Sequence, residues 1–383
     1  AATESYKERR YEERQGGSWD CPLCTFRNNP YRLHCDACAT KAPTHILTFS
    51  NVPEKMRFGV ELELIIPDGV RDGFSCEWVA TQLAALGIST IFEGYSHRVV
   101  DSWKVVSDSS IRSSKNDLCF ELVSPVLVGE DQIASLRSLL DSIRKIGIEI
   151  NSTCGFHVHV DASIGQEQGV PAMGTLHGLQ RVAQCFVALE NAFDCLVARD
   201  GSQQAQQRRG NRHRYCQSNA MAFGALSNKK RWNRISSTRS KSDLVELINP
   251  ESDRYCKLNF TNLTKPDRPD TIEFRQHGGV SELLAAEAWV RLVLRFCANA
   301  ANNQNAAVFQ CLLHQEATAV DELRALFSLV DCPGTEAYFL LERKLFSAQL
   351  ATGRTRGDWE CRRCKRRFRD SRSLSQHSHD TGH

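Results

Sequence analysis

The sequence predicts an α+β protein that carries a small zinc finger near each end. Three observations predict it. Six of the sixteen cysteines fall in C-x2-C pairs close to the termini, and the other ten are scattered singly through apolar segments. Between the pairs, short stretches alternating apolar and polar residues are interleaved with longer ones whose apolar residues recur every three or four positions. Finally, 383 residues at 41% hydrophobic and 24% charged give enough chain for two or three domains and exclude wholesale disorder or a collagenous repeat.

The first element is a finger over residues 17–40. Cys21, Cys24, Cys35 and Cys38 read C-x2-C-x10-C-x2-C, and each pair lets a tight turn present two thiolates to one ion. So short a segment has too little core to fold alone, so zinc supplies its folding energy. Trp19 and Asn28 extend the pattern to W-x-C-x2-C-x3-N-x6-C-x2-C, which resembles the Ran-binding-protein (NZF-type) zinc fingers. That family divides into single-stranded RNA readers and ubiquitin binders. Pro30 stands where the RNA readers carry an aromatic, and Thr25-Phe26 is similar to the ubiquitin-binding subgroup, so the resemblance implies ubiquitin as partner. Ala37 is smaller than the usual third contact, and a purely structural finger is the alternative.

Residues 41–55 read as a linker, and 56–349 as the main domain. Phe58–Ile65 alternates strictly, which sets Glu61 and Glu63 side by side on one strand face. Two such carboxylates repel unless a cation or strong donors lie between them. Trp103–Val106 and Cys119–Val123 are strand-like, the second carrying Glu121 and ended by Pro125, with a turn at Asp108 between them. Apolar spacing predicts a helix over 130–146, closed by Gly147, then a short strand at 148–150. His157 and His159 share one face of a strand, and a long helix follows over 176–198. Tyr255–Phe260 and Thr271–Gln276 are strand-like, the second placing Glu273 and Arg275 together. Helices at 282–299, 320–329 and 335–349 complete the domain. If these strands are neighbours, their acids and histidines meet on one surface, a donor set suited to Mg²⁺ or Mn²⁺.

Charge is unevenly spread. The formal net charge is +3, yet residues 201–242 hold ten Lys/Arg and no Asp or Glu, a segment that is either a clamp for a triphosphate or a mobile basic loop. A second basic run surrounds the last element, residues 357–383. There Cys361, Cys364, His377 and His383 read C-x2-C-x12-H-x5-H, with Phe368 and Leu374 as a miniature core, and resemble the two-Cys two-His zinc finger. One such finger reads only about 3 bp, so nucleic acid is a possible partner and protein docking an equal one. The charged N-terminus has no apolar signal, no run of 18 apolar residues is present, and the thiols suit a reducing compartment. These features predict an intracellular protein, cytoplasmic or nuclear, with no membrane partner.

The ordered set G-V-E-L-E, W-x-V-x-x-D-x-S, E-L-V-S-P, C-G-x-H-V-H-V-D, K-L-N and T-I-E-F-R-Q-H, spanning roughly residues 56–300, resembles the amidoligase family. That family is a branch of the carboxylate–amine ligases with the glutamine-synthetase and glutamate–cysteine-ligase fold, which implies an antiparallel sheet with flanking helices. The resemblance further implies ATP and Mg²⁺ (or Mn²⁺) beside two structural Zn²⁺. Glu61, Glu63, Glu121, His157 and Glu273 match its metal ligands, and His159 the histidine nearer the nucleotide. Arg275 matches the arginine that steadies transferred phosphate, and Asp108 the acid near the amine. Lys257 and Asn259 are candidates to line the nucleotide site. The implied reaction joins a carboxylate to an amine through an acyl phosphate, on ubiquitin or a ubiquitinated protein held by Thr25 and Phe26. The rival reading is an inactive ligase fold serving as an adaptor between ubiquitin and nucleic acid or protein.

Overall fold

The computed structural model describes residues 49–94, 98–163, 172–197, 212–302 and 319–332, with short pieces at 19–21, 23–25, 27–28, 37–38, 313, 334–335, 359–360 and 367–368. It divides into two units, Ala1–Ser50 with Cys332–Arg354, and Asn51–Asp331 with Thr355–His383. In the first unit Trp19–Asp20 pairs antiparallel with Arg27–Asn28. In the second, Trp359–Glu360 pairs antiparallel with Arg367–Phe368.

The second unit is built on β1 (Arg57–Ile66), whose alternation decides both of its faces. Phe58, Val60, Leu62 and Leu64 are buried on one face, and Gly59, Glu61 and Glu63 occupy the other. Next comes α1 (Cys76–Ala85), capped by Ser75, whose hydroxyl accepts the Trp78 N–H at 3.2 Å. Then follow β2 (Thr90–Phe92), β3 (Trp103–Ser107), β4 (Leu118–Val123), β5 (Leu127–Val128) and α2 (Gly129–Ile146). Helix α2 opens with Glu130 and Asp131, closes with Arg144 and Lys145, and stops at Gly147 with φ 79°, a conformation that penalises a Cβ. After β6 (Gly155–Asp161) come α3 (Leu176–Val197), α4 (Asn228–Ser236), α5 (Lys241–Ile248), β7 (Leu258–Asn259), β8 (Thr271–Gly278), α6 (Leu283–Ala301) and α7 (Ala319–Val330).

The sheet has eight strands in the order β7-β8-β6-β1-β4-β3-β2, with β5 paired to β1. All pairs are antiparallel except β2–β3, so the sheet is mixed rather than wholly antiparallel. Helices α3 and α6 bury its apolar face. Phe274 of β8 lies 5.7 Å from Phe186 and 6.0 Å from Phe296 between ring centroids, both edge-on.

Most predicted elements appear within a residue or two. The strand expected over Tyr255–Phe260 shrinks to Leu258–Asn259, and 148–150 contributes only a bridge between Ile65 and Glu149. Helix α4 occupies part of the basic stretch, and α1, α5 and β2 add to the expected set. The helix expected over 335–349 falls outside the described residues, apart from its first residue. No helix among the described residues is long and apolar enough to cross a membrane.

Candidate active site on the polar face of the sheet

Strand register brings the predicted acids and histidines together. Glu61 on β1 lies opposite His157 on β6, and Glu63 lies opposite Glu121 on β4. On the other side Glu273 of β8 faces both His159 of β6 and Asn259 of β7. Because side chains alternate, these positions present one continuous polar face. The Glu61 carboxylate sits between the imidazoles, 3.2 Å from His157 Nδ1 and 3.0 Å from His159 Nε2. Two ligand sets share it: Glu61, His159 and Glu273, and Glu61, Glu121 and His157, with ligand atoms within 4.8 Å of one another in each.

Glu63 is buried beside them, one oxygen accepting the Gly155 N–H at 2.6 Å and the other 3.8 Å from His157 Nε2. Asn259 donates to Glu273 at 2.7 Å while its carbonyl accepts the Thr261 N–H at 2.9 Å, so it orients the carboxylate. The Arg275 guanidinium contacts the other Glu273 oxygen.

The electrostatics of this cluster suit a divalent cation. Burial, then the charges of Glu61, Glu63 and Asp108, push the Glu121 carboxyl well above the usual carboxylate range. Burial also raises Glu61, but His159 and the hydrogen bonds from both imidazoles outweigh it and hold the carboxyl well below that range. His159 itself, despite burial, is pushed up to about 9 by Glu61 and Glu273. Burial likewise opposes the ionised Glu273, and Arg275 and His159 bring its carboxyl down. Carboxylates crowded around imidazole nitrogens form a hard, oxygen-rich set that fits Mg²⁺ or Mn²⁺, which would replace the repulsion at Glu121 by coordination.

The cluster forms the floor of a cavity of about 620 Å³. Asp108 is in its wall, its oxygens accepting the Ser110 N–H at 2.7 Å and hydroxyl at 3.0 Å. At the β7–β8 end Arg254, Lys265 and Arg268 line the wall. Burial and then the neighbouring Arg268 and Arg254 push the Lys265 ammonium down, a crowding of cations that an anion would relieve. Sequence reasoning missed these three and looked to residues 201–242. Of the described part of that stretch, only Tyr215 and Cys216 reach the cavity; 201–211 lie outside the described residues. Their signal was present, since Arg254, Lys265 and Arg268 stand in the connections that flank K-L-N and T-I-E-F-R-Q-H.

Lys257 requires a correction. Expected beside a nucleotide, it is absent from the cavity wall, and its fully buried ammonium lies 2.9 Å from Glu190 and 2.7 Å from Asp194 of α3. Lys257 precedes the two residues of β7, so the period-two rule that paired it with Asn259 does not reach it. Cys154 packs with Ile65 and Ile111 in a small apolar cluster.

At the N-terminal finger, the thiols of Cys21, Cys24 and Cys38 lie together, with 3.5 Å between the Cys21 and Cys38 sulfurs. Thr25 is exposed at φ 59° on the turn, its N–H donating to the Cys21 carbonyl at 2.8 Å. Three thiols in one turn-held cluster support zinc. Cys35 and Phe26 fall outside the described residues, as do Cys361, Cys364, His377 and His383.

Comparison with known families places both parts of the chain. The model of the family described as "Putative amidoligase enzyme" matches residues 54–297, more than half of the sequence. The model described as "Zn-finger in Ran binding protein and others" matches residues 14–44. No curated protein matches the chain.

Proposed function

Given that the chain belongs to the amidoligase family, we propose that it is an ATP-dependent carboxylate–amine ligase that forms an amide through an acyl phosphate. The observation that carries this reading is the pair of overlapping carboxylate–imidazole sets around Glu61, on the floor of one cavity with cations at one end. On this reading the sheet is that of the glutamine-synthetase-like ligases. Glu61, Glu121 and His157 hold one divalent ion and Glu61, His159 and Glu273 another, so His159 is a ligand rather than a nucleotide contact. Such ions, when bound, supply Lewis-acid offset of phosphoryl charge. Arg254, Lys265 and Arg268 take the polyphosphate, and Arg275 steadies the transferred group.

The substrate carboxylate attacks the γ-phosphorus, the bond to the ADP oxygen breaks, and an acyl phosphate forms. An amine then adds to the acyl carbon, phosphate leaves, and the amine proton passes to a carboxylate, for which Asp108 in the cavity wall is the candidate. Amide formation from free ions is uphill in water, so coupling to ATP is required.

The finger defines the proposed target. Ubiquitin or a ubiquitinated protein held by Thr25 and Phe26 would present its carboxylate at raised effective concentration. Cys361, Cys364, His377 and His383 are assigned to a second structural zinc, with nucleic acid or protein as its partner.

The test is full-length protein with ATP, Mg²⁺, ubiquitin and a panel of amines, followed by ADP release and intact mass. The expected result is ADP in step with a product lighter than its two substrates by one water, lost in Glu61→Gln. Ubiquitin binding without ADP from any carboxylate and amine would leave the inactive adaptor in its place.

A further inference from the structure

The polar face continues past the metal cluster to β3, where side chains sort by charge. Lys104, Val106 and Asp108 lie at alternate positions of that segment and all line the cavity. Val106 is registered opposite Glu121, and Val123 of β4 lies between Glu61 and Lys104. Lys104 and Asp108 are thus about 13 Å apart along the chain, on the two sides of the catalytic row.

Lys104 is an unusual residue for a cavity floor, because it is charged yet only 3% exposed. Its ammonium donates to the Arg98 carbonyl at 2.5 Å and lies 3.8 Å from a Glu93 oxygen. Glu93 also takes the Arg98 guanidinium, so one carboxylate serves two cations and the local balance is positive. The surrounding walls are aliphatic. Val99 and Val126, at 52% and 47% exposure, rise beside the ammonium, and Val106 and Val123 complete the lining. A positive, aliphatic recess repels an amine. It also differs from the β7–β8 end, where Arg254, Lys265 and Arg268 together suit several negative charges. One buried ammonium among valines suits one carboxylate on an apolar stem.

We infer that the β3 end of the cavity binds the acyl substrate as an aliphatic carboxylate. The carboxylate lies between the Lys104 ammonium and the metal cluster, and the stem runs against Val99 and Val126. The amine approaches from the Asp108 side. As an assignment of the acyl substrate this rests on the ligase reading, but the binding site is tested without turnover.

The probes are hexanoate and hexanamide, titrated calorimetrically into the full-length protein with Mg²⁺ and a non-hydrolysable ATP analogue. Hexanoate should bind and hexanamide should not. Lys104→Met should weaken hexanoate by at least about tenfold, and Lys104→Arg should restore most of it. Val126→Asp, which places a like charge in the recess, should weaken hexanoate comparably while the analogue's own affinity stays within about twofold in every variant. Folding of each variant is verified by its melting temperature. The inference is overturned if wild-type protein ignores hexanoate, if hexanamide binds equally well, or if Lys104→Met matches wild type. Hexanoate binding without ADP formation from any carboxylate would instead sink the ligase reading and leave the recess standing.

Discussion

Replacing Lys257 by Met tests whether that cation belongs to the protein's interior or to its nucleotide. The ammonium is 0% exposed, 2.9 Å from Glu190 and 2.7 and 2.8 Å from the two Asp194 oxygens. Burial pulls it down, but Glu190 and Asp194 raise it above the ordinary lysine range. Such a group contributes stability that is fully present below the unfolded-state value and is lost only as pH climbs through the higher folded one. Methionine fills similar volume but strands two carboxylates under α3. Breaking one partner out of a buried pair costs about 3–5 kcal/mol, and Asp194, at 21% side-chain exposure, argues for the lower end. For a unit of this size about 3 kcal/mol corresponds to a melting temperature roughly 6–12 °C lower.

The sign of the pH effect follows. Burial already raises Asp194 in the wild type despite Lys257. Without the lysine, both acids hold protons in the folded state that they lose in the unfolded one, so the deficit grows with pH. Scanning calorimetry at about pH 5.5 and 8 reads both quantities. Asp194→Asn in the same background should recover part of the loss, and affinity for ATP should stay unchanged in the folded fraction. A loss below about 1 kcal/mol, equal deficits at both pH values, or a selective loss of nucleotide affinity would refute this account.

Asn259→Leu removes the donor that orients Glu273 and should weaken Mn²⁺ binding, read by electron paramagnetic resonance, by about 10–100-fold; unchanged affinity would mean that Glu273 needs no such support. Glu322, 5% exposed on α7, is raised to about 7, first by burial and against the hydrogen bond from Asn191, with Arg231, Glu190 and Asp194 also facing it. Its folded form therefore holds a proton that the unfolded form releases above about 4.5, and stability falls between there and about pH 7. Glu322→Gln should accordingly stabilise by up to about 3 kcal/mol at pH 8 and by almost nothing at pH 4.5, as followed by urea unfolding. Cys38→Ser should lower the zinc content of the purified protein by one equivalent by elemental analysis, and an unchanged content would remove Cys38 from the ligand set.

Much of this was legible in the sequence because strands and helices impress their periods on local composition. The two-residue period placed Glu61 with Glu63, His157 with His159 and Glu273 with Arg275 before any strand pairing was known. Gly147 marked the end of α2 because few other residues accept a positive φ there. Periodicity fails where the regular stretch is too short. At β7 two residues do not fix which way Lys257 points, and in β8 the register shift between Phe274 and His277 breaks the alternation. Charge counting also misled, because a run of cations says how many charges are near in sequence and nothing about which wall they line.

The sequence by itself determined which residue types share a strand face, where helices start and stop, and which cysteines are spaced for a metal. Only the tertiary structure decided that Glu61 stands between two histidines, that Glu63 is tied to the Gly155 backbone, and that Lys257 turns away to α3 while Lys104 enters the cavity. The reason is that period and spacing act over a few neighbouring residues. Strand register and layer choice are settled by contacts between residues as far apart as Glu61 and Glu273, and no local pattern records them.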